Sequence, residues 1–161
     1  MPDLQFRTEL RASDRDGVRA LVAATGFFSP EELLVAVELV DETLARGTQA
    51  SGYAFVFAES ADRMLGYACY GPIPATAGSY DLYWIVVDPE TQARGIGRAL
   101  MEAVEREVRA AGGRRIWVDT SEREQYAPTR AFYRRCGYRQ AASLADFYAE
   151  GDGKAIFVKS I

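Results

Sequence analysis

The sequence predicts an α/β fold: one domain, 1–161, in which helices flank a mixed, mostly antiparallel central sheet. Three observations carry this. Strand-like and helix-like segments follow one another in the order β-α-α-β-β-β-α-β-α-β-β. No linker, repeat or low-complexity stretch separates them. The length, 161 residues, suits one sizeable core.

Each element has its own reason. Residues 5–10, QFRTEL, alternate as a strand does. A helix is predicted over 13–25, with Ser13 and Asp16 at capping-box spacing, and GFF at 26–28 breaks it. A second helix starts at Ser29. Pro30 suits its first position, and Glu31 and Glu32 favour its positive end. Its apolar stripe is Leu33, Val37, Val40 and Leu44, and Gly47 stops it. YAFVFAES and MLGYACY then read as antiparallel strands joined by a short turn at 61–63.

GPIPATAGS is a loop, and YDLYWIVV is the most strand-like segment in the chain. Aromatic and β-branched residues on both its faces predict a central strand buried on both sides. The next helix runs to about residue 111. Ile96, Leu100, Val104 and Val108 form its buried side; Glu102/Arg106 and Glu105/Arg109 are i,i+4 pairs on its wet side. Gly112 and Gly113 end it, and RRIWVD is a strand. A short helix over 128–136 stops at Gly137. DFYAEGDGKAIFVKS closes the chain as two strand-like arms around a Gly-Asp-Gly turn.

Composition excludes several chemistries. The chain has no histidine, so no Ser-His-Asp triad, Cys-His pair or HExxH zinc site can form. Proton transfer falls to carboxylates, tyrosines, lysines or water. Cys69 and Cys136 lie far apart in apolar contexts and read as core filler; no metal site is expected. Net charge is −4, with no basic run that could track a nucleic acid. No apolar run reaches the ~18 residues of a membrane span, and residues 1–10 lack the pattern of a signal peptide. A cytoplasmic protein is therefore expected, without nucleic acid or membrane partners.

QARGIGRAL, at 92–100, points to a ligand. It joins the end of a strand at Val87 to the start of a helix. Gly95 and Gly97 let an anion approach the backbone, the first helical N–H groups lie at the positive helix end, and Arg94 and Arg98 add charge. These are the parts of a phosphate cradle. It is neither a dinucleotide fingerprint, which wants Gly or Ala where Leu100 stands, nor a P-loop, which wants Gly-Lys-Ser/Thr. A plain strand-to-helix turn with exposed arginines is the alternative.

VDPETQARGIGRALM resembles the Q/R-x-x-G-x-G/A signature of the GCN5-related N-acetyltransferases, the GNAT family, with Gln92, Gly95 and Gly97 at its positions. TRAFYRRCGY, 129–138, is similar to that family's aromatic-Tyr-x-x-x-Gly-aromatic helix, and the order of elements agrees over nearly the whole chain. The resemblance implies a GNAT-like fold and acetyl-coenzyme A as cosubstrate. Its pyrophosphate would rest on the backbone of Arg94, Gly95, Ile96, Gly97, Arg98 and Ala99, and its pantetheine arm would pair with the strand at Val87.

The resemblance also implies candidates for the chemistry. Asp81, six residues before Val87, stands where some relatives keep a catalytic base; Asp119 and Glu122 are reserves. Tyr133 fills the tyrosine position whose hydroxyl in many relatives lies near the thioester sulfur. Relatives often carry an asparagine seven residues earlier; here that residue is Tyr126, and Thr129 is the substitute. Backbone N–H groups around 85–87 are the oxyanion donors. Acceptor candidates are Phe27 and Phe28 between the first helices, Tyr83 on the Asp81 face, Asp119, and Asp146 and Tyr148 near the end. Core packing is the alternative for the aromatics. The expected reaction is acetyl transfer to the amine of a small molecule by direct attack, with no covalent enzyme intermediate. Acetylation of a protein N-terminus and a non-catalytic acyl-coenzyme A binding module are the alternatives, and a homodimer is left open.

Overall fold

The computed structural model describes residues 3–161. The elements are β1 (Gln5–Arg7), α1 (Asp14–Thr25), α2 (Pro30–Ser51), β2 (Ala54–Ser60), β3 (Arg63–Pro72), β4 (Ser79–Val87), a 3-10 turn (Pro89–Arg94), α3 (Ile96–Ala110), β5 (Arg115–Ser121), a second 3-10 turn (Glu124–Tyr126), α4 (Ala127–Arg135), β6 (Arg139–Ala149) and β7 (Asp152–Ser160). The strand order is β1-β2-β3-β4-β5-β7-β6. β1 with β2, β2 with β3, β5 with β7 and β6 with β7 pair antiparallel, and β4 with β5 pairs parallel. This is the predicted α/β class and element order. The contacts divide the chain into two compact units: the chain through Gly71 with Trp84–Arg106, and Pro72–Tyr83 with Glu107–Ile161.

In the first unit, β2 and β3 form a hairpin. Ala61 and Asp62 both take left-handed φ at its tip, the geometry that matches the twist of the two strands. Val18, Leu21 and Val22 of α1 and Ala36 and Val40 of α2 bury against Phe55, Phe57, Tyr67, Cys69 and Val86. On the opposite face of β3, between Tyr67 and the strand's start, stands Gly66. A Cβ there would lie 2.9 Å from Leu100 Cδ1 and 2.9 Å from the Val86 carbonyl. The expected stripe of α3 is fully buried at Ile96, Leu100, Val104 and Val108.

Charge ties β1 to its neighbours. Arg7 makes a two-pronged ion pair with buried Asp14, at 2.8 and 2.9 Å, reaches Glu59 at 3.0 Å, and lies 4.4 Å over the Phe57 ring. The two carboxylates hold its guanidinium above its usual range, against the opposing effect of burial.

In the second unit, β4 pairs with β5 over Ser79↔Arg115 to Leu82↔Val118. β7 pairs with β5 on one side and β6 on the other. The β6–β7 register jumps from Leu144↔Lys154 to Ala149↔Asp152, so four residues of β6 oppose one of β7. Asp146 sits in this bulge at φ 55° and accepts the Gly151 amide at 2.7 Å. The bulge turns Phe147 and Tyr148 out to solvent. Cys69 and Cys136 are both buried, as core filler should be, one in each unit.

Several sequence readings need correction. Ser13 makes no side-chain cap; the Asp14 carboxylate instead accepts the Arg11 amide at 2.7 Å. Gly47 kinks α2 at φ 83° rather than ending it, and one more turn reaches Ser51. Leu44 is exposed, not part of the buried stripe. β4 is central in strand order but not buried on both faces: Leu82 and Val86 are buried, while Tyr83 is 40 % exposed. Glu105 is buried, so it is not on the wet side of α3; the salt bridge seen there is Arg98–Glu102 at 3.3 Å. β6 starts at Arg139, seven residues before the arm the sequence suggested.

The Gly66 contact gives a direct test. Gly66→Ala forces a methyl against Leu100 and a backbone carbonyl, and should cost about 1–3 kcal/mol of stability. Urea denaturation should show a lower midpoint with an unchanged slope; an unmoved midpoint would mean that α3 does not press on β3 there.

Candidate active site

The loop after β4 is shaped before any ligand is considered. Asp88 follows the strand, and its amide donates to the Leu65 carbonyl at 2.8 Å. Its carboxylate accepts the Glu90 amide at 3.0 Å, capping a 3-10 turn that Pro89 opens. Buried Thr91 returns to the Asp88 carbonyl with both its amide and its hydroxyl. Arg63 pairs with Asp88 and, at 3.2 Å, with Glu90. The turn therefore has little freedom.

Gly95 ends the turn at φ 76°, a conformation that favours glycine, and a Cβ there would meet nothing within 4 Å. Ile96 then anchors the first turn of α3 in the core. The opening amides of a helix lack partners in the preceding turn, and this helix aims them from beside an open glycine. Ala99 does not belong with those donors, because its amide already bonds the Gly95 carbonyl at 3.0 Å. Gln92 and Arg94 on the turn and Arg98 on α3 are exposed, Gly97 is half-buried, and Arg98 leans toward Glu102. Val87 ends β4 half-buried. Phe27 and Phe28 meet edge-to-face at 5.3 Å, and Phe28 meets Trp84 at 5.0 Å and packs against the core.

The second unit gathers a different set of groups. Asp81 on β4 is half-buried, and its carboxyl is raised above the usual range by burial first and by the Asp119 charge second; the Lys154 charge pulls the other way. Asp119 Oδ2 holds Lys154 Nζ at 2.6 Å. Tyr148 has its hydroxyl raised by burial and by Asp119, Asp152 and Tyr126. Tyr83 stands exposed on the same strand as Asp81. Two of the sequence candidates are committed elsewhere: Glu122 bonds Ser143, and Asp146 holds the bulge turn.

Tyr133 is buried among Phe132, Tyr138 and Phe157, with ring centroids 5.5 to 6.3 Å away. Burial pushes its hydroxyl well above the ordinary tyrosine value. Thr129 is half-buried in the first turn of α4. Arg130 fixes that helix by donating to the Ser121 and Arg123 carbonyls at 2.8 and 2.9 Å. Lys154 and Arg130 escaped the sequence reading. Each acts through a partner distant in sequence, and neither lies in a recognisable pattern. Among the described residues, no cluster of three or more Cys, Asp or Glu side chains could hold a metal, and no helix is long and apolar enough to cross a membrane.

Comparison with known proteins bears on both units. A GNAT-family protein of known structure from Desulfovibrio desulfuricans is 51 % identical, with a TM-score of 0.96 over 98 % of this chain and 99 % of that one. The coenzyme A complex of an aminoglycoside 6'-N-acetyltransferase shares the fold at 17 % identity, with a TM-score of 0.76 over 97 % of this chain and 96 % of that one. The ribosomal-protein-bS18-alanine N-acetyltransferase of Escherichia coli is 33 % identical over 73 residues, 45 % of this chain. That match spans 48 %, about half, of the relative's own length. Residues 21–138, most of the chain, match the acetyltransferase (GNAT) family, and the protein is a member of it.

Proposed function

We propose that this chain, 1–161 acting as one acyltransferase domain, transfers the acetyl group of acetyl-coenzyme A to the amine of a small molecule by direct attack. The observation that carries the reading is the open left-handed Gly95 between a capped 3-10 turn and the first turn of α3. Such a turn suits a pyrophosphate, whose oxygens need close approach to backbone N–H groups at a helix start. In this reading Gln92, Arg94, Gly95, Ile96, Gly97 and Arg98 hold the pyrophosphate, Val87 offers its backbone to the pantetheine arm, and Thr129 adds a contact there. A coenzyme A complex of a protein with the same fold supports the cosubstrate.

Asp81 takes the proton that the attacking amine must lose. Its partial burial favours this, since an ordinary aspartate with pKa ~3.9 holds a proton too weakly for the task. N–H groups around residues 85–87 polarise the thioester carbonyl. As the carbon–sulfur bond breaks, the Tyr133 hydroxyl gives its proton to the departing thiolate. A covalent route through cysteine is disfavoured: both thiols are buried, and burial holds Cys69 far above the usual thiol range. Phe27, Tyr83, Asp119 and Tyr148 shape the acceptor's surroundings. The likeness to bS18-alanine N-acetyltransferases favours a protein N-terminus as a second reading. A panel of diamines, aminoglycosides and N-terminal alanyl peptides, followed by release of coenzyme A thiol, separates the two.

Three outcomes test the roles. Gly97→Glu places an anion where the pyrophosphate belongs, yet a glutamate suits the first turn of a helix. The variant should stay folded and lose the thermal stabilisation that coenzyme A gives wild type, which reaches about 2.7 kcal/mol at a hundred times the dissociation constant; retained stabilisation would rule out the cradle.

Tyr133→Phe keeps the aromatic packing and removes the donor. Turnover should fall roughly 10²–10³-fold in single-turnover kinetics, with coenzyme A affinity little changed. A full rate in the chemical step would leave Tyr133 as packing alone.

Asp81→Asn has a signature in stability as well as in rate. A carboxyl raised in the folded state costs nothing at low pH, where both folded and unfolded forms are protonated. It costs stability as pH rises through its folded value. The variant should therefore melt higher than wild type at neutral pH, with the gain shrinking as pH falls toward about 4 and absent below it. Its turnover over acceptor Michaelis constant should drop at neutral pH and recover at high pH, where the amine is already neutral. A raised Michaelis constant alone would make Asp81 a binding residue.

A further inference from the structure

We infer that Lys154, through its ion pair with Asp119, is a positioning residue that holds Asp81 in its proton-accepting form. The inference rests on the reading of Asp81 as the base. Register brings the groups together. Parallel pairing sets Asp81 against Trp117, and Asp119 follows two residues later on the same face of β5. Antiparallel pairing sets Lys154 against Ser121, two residues beyond Asp119 and again on that face. Adjacent strands thus carry two carboxylates and one ammonium on a common surface.

The ammonium is held from two sides. Asp119 Oδ2 lies 2.6 Å from Lys154 Nζ, and the Phe147 ring centroid lies 4.3 Å away, supplied by the β6 bulge. The Lys154 side chain is only 16 % exposed, against 44 % for Asp119, so the lysine is seated rather than waving in solvent. The charged groups facing Asp81 are Asp119 from β5 and Lys154 from β7. Tyr148 of β6, Asp152 of β7 and Tyr126 before α4 stand around the Asp119 side of the cluster. Burial and the Asp119 charge both favour a protonated Asp81, and the Lys154 charge opposes them. Without Lys154, the Asp119 charge would act on Asp81 without this offset, and Asp81 would keep its proton to higher pH.

The test is a carbon-13 NMR titration of the side-chain carboxyls in the whole protein, with the Asp81 signal assigned through Asp81→Asn. Lys154→Met keeps the length of the stem and removes the charge. It should move the Asp81 midpoint up by about one pH unit, and Lys154→Arg should restore it. Asp119→Asn, alone or added to Lys154→Met, should move it down. The acid limb of acceptor kcat/KM should follow the midpoint in each variant. Should Lys154→Met not fold, Lys154→Gln and Asp119→Asn carry the same comparison. An Asp81 midpoint indifferent to both residues overturns the inference and makes the ion pair a structural clamp. A midpoint that moves while the rate profile stays fixed upholds the electrostatic role and removes Asp81 as the base.

Discussion

The side-chain alternation of β4 is the constraint on which the rest depends. Within each unit the strand alternates: Leu82 lies opposite Asp81 and Tyr83 in one, and Trp84 and Val86 lie opposite Ile85 and Val87 in the other. Leu82 and Val86 are buried, and Trp84 packs with Phe28 against the core of α1 and α2. A slip of one residue would put Asp81 and Tyr83 inside and Leu82 in water. Burial of Leu82 thus fixes the face on which Asp81 and Tyr83 lie. The same strand belongs to both compact units, contributing Ser79–Tyr83 to one and Trp84–Val87 to the other.

The remaining polar contacts fix backbone more than they add stability. Arg7 grips Asp14 and Glu59, and so registers β1 on β2 and sets the start of α1. Buried ion pairs add little net stability over apolar contacts, but a partner left alone is costly, which makes them effective at excluding other arrangements. Asp88 does for the loop after β4 what Asp14 does for α1. Its carboxylate caps, its carbonyl receives Thr91, and its charge is met by Arg63. Arg130 does the same for α4, with two carbonyls in place of a carboxylate.

What could be read from the sequence followed how local the physics was. The turn after β4 and the start of α3 were legible because Pro89, Gly95 and the buried stripe of α3 lie close together in sequence. The α2 start was legible for the same reason, and its Ser29–Glu32 capping box is formed. Errors came where a distant group intervened. Ser13 lost its capping role because Asp14 takes the Arg11 amide while Arg7 holds its carboxylate. Glu105 looked wet by spacing and is buried by packing. The Asp119–Lys154 pair depends on the β5–β7 register, and Phe147 joins it only through a bulge that no local pattern announces. In the candidate site, the loop was therefore readable, whereas the surroundings of Asp81 had to await the sheet.

The burial of both cysteines has a practical consequence. Thiol reagents attack the thiolate, and a thiol enclosed in apolar surroundings resists ionisation. While the chain is folded, its own sulfur is therefore silent, so a thiol signal that grows during turnover belongs to the product. Without cosubstrate, the same reagent becomes a clock: the rate at which Cys69 and Cys136 are labelled measures how often each compact unit opens. Because one cysteine sits in each unit, the two labelling rates would reveal whether the halves open together or separately.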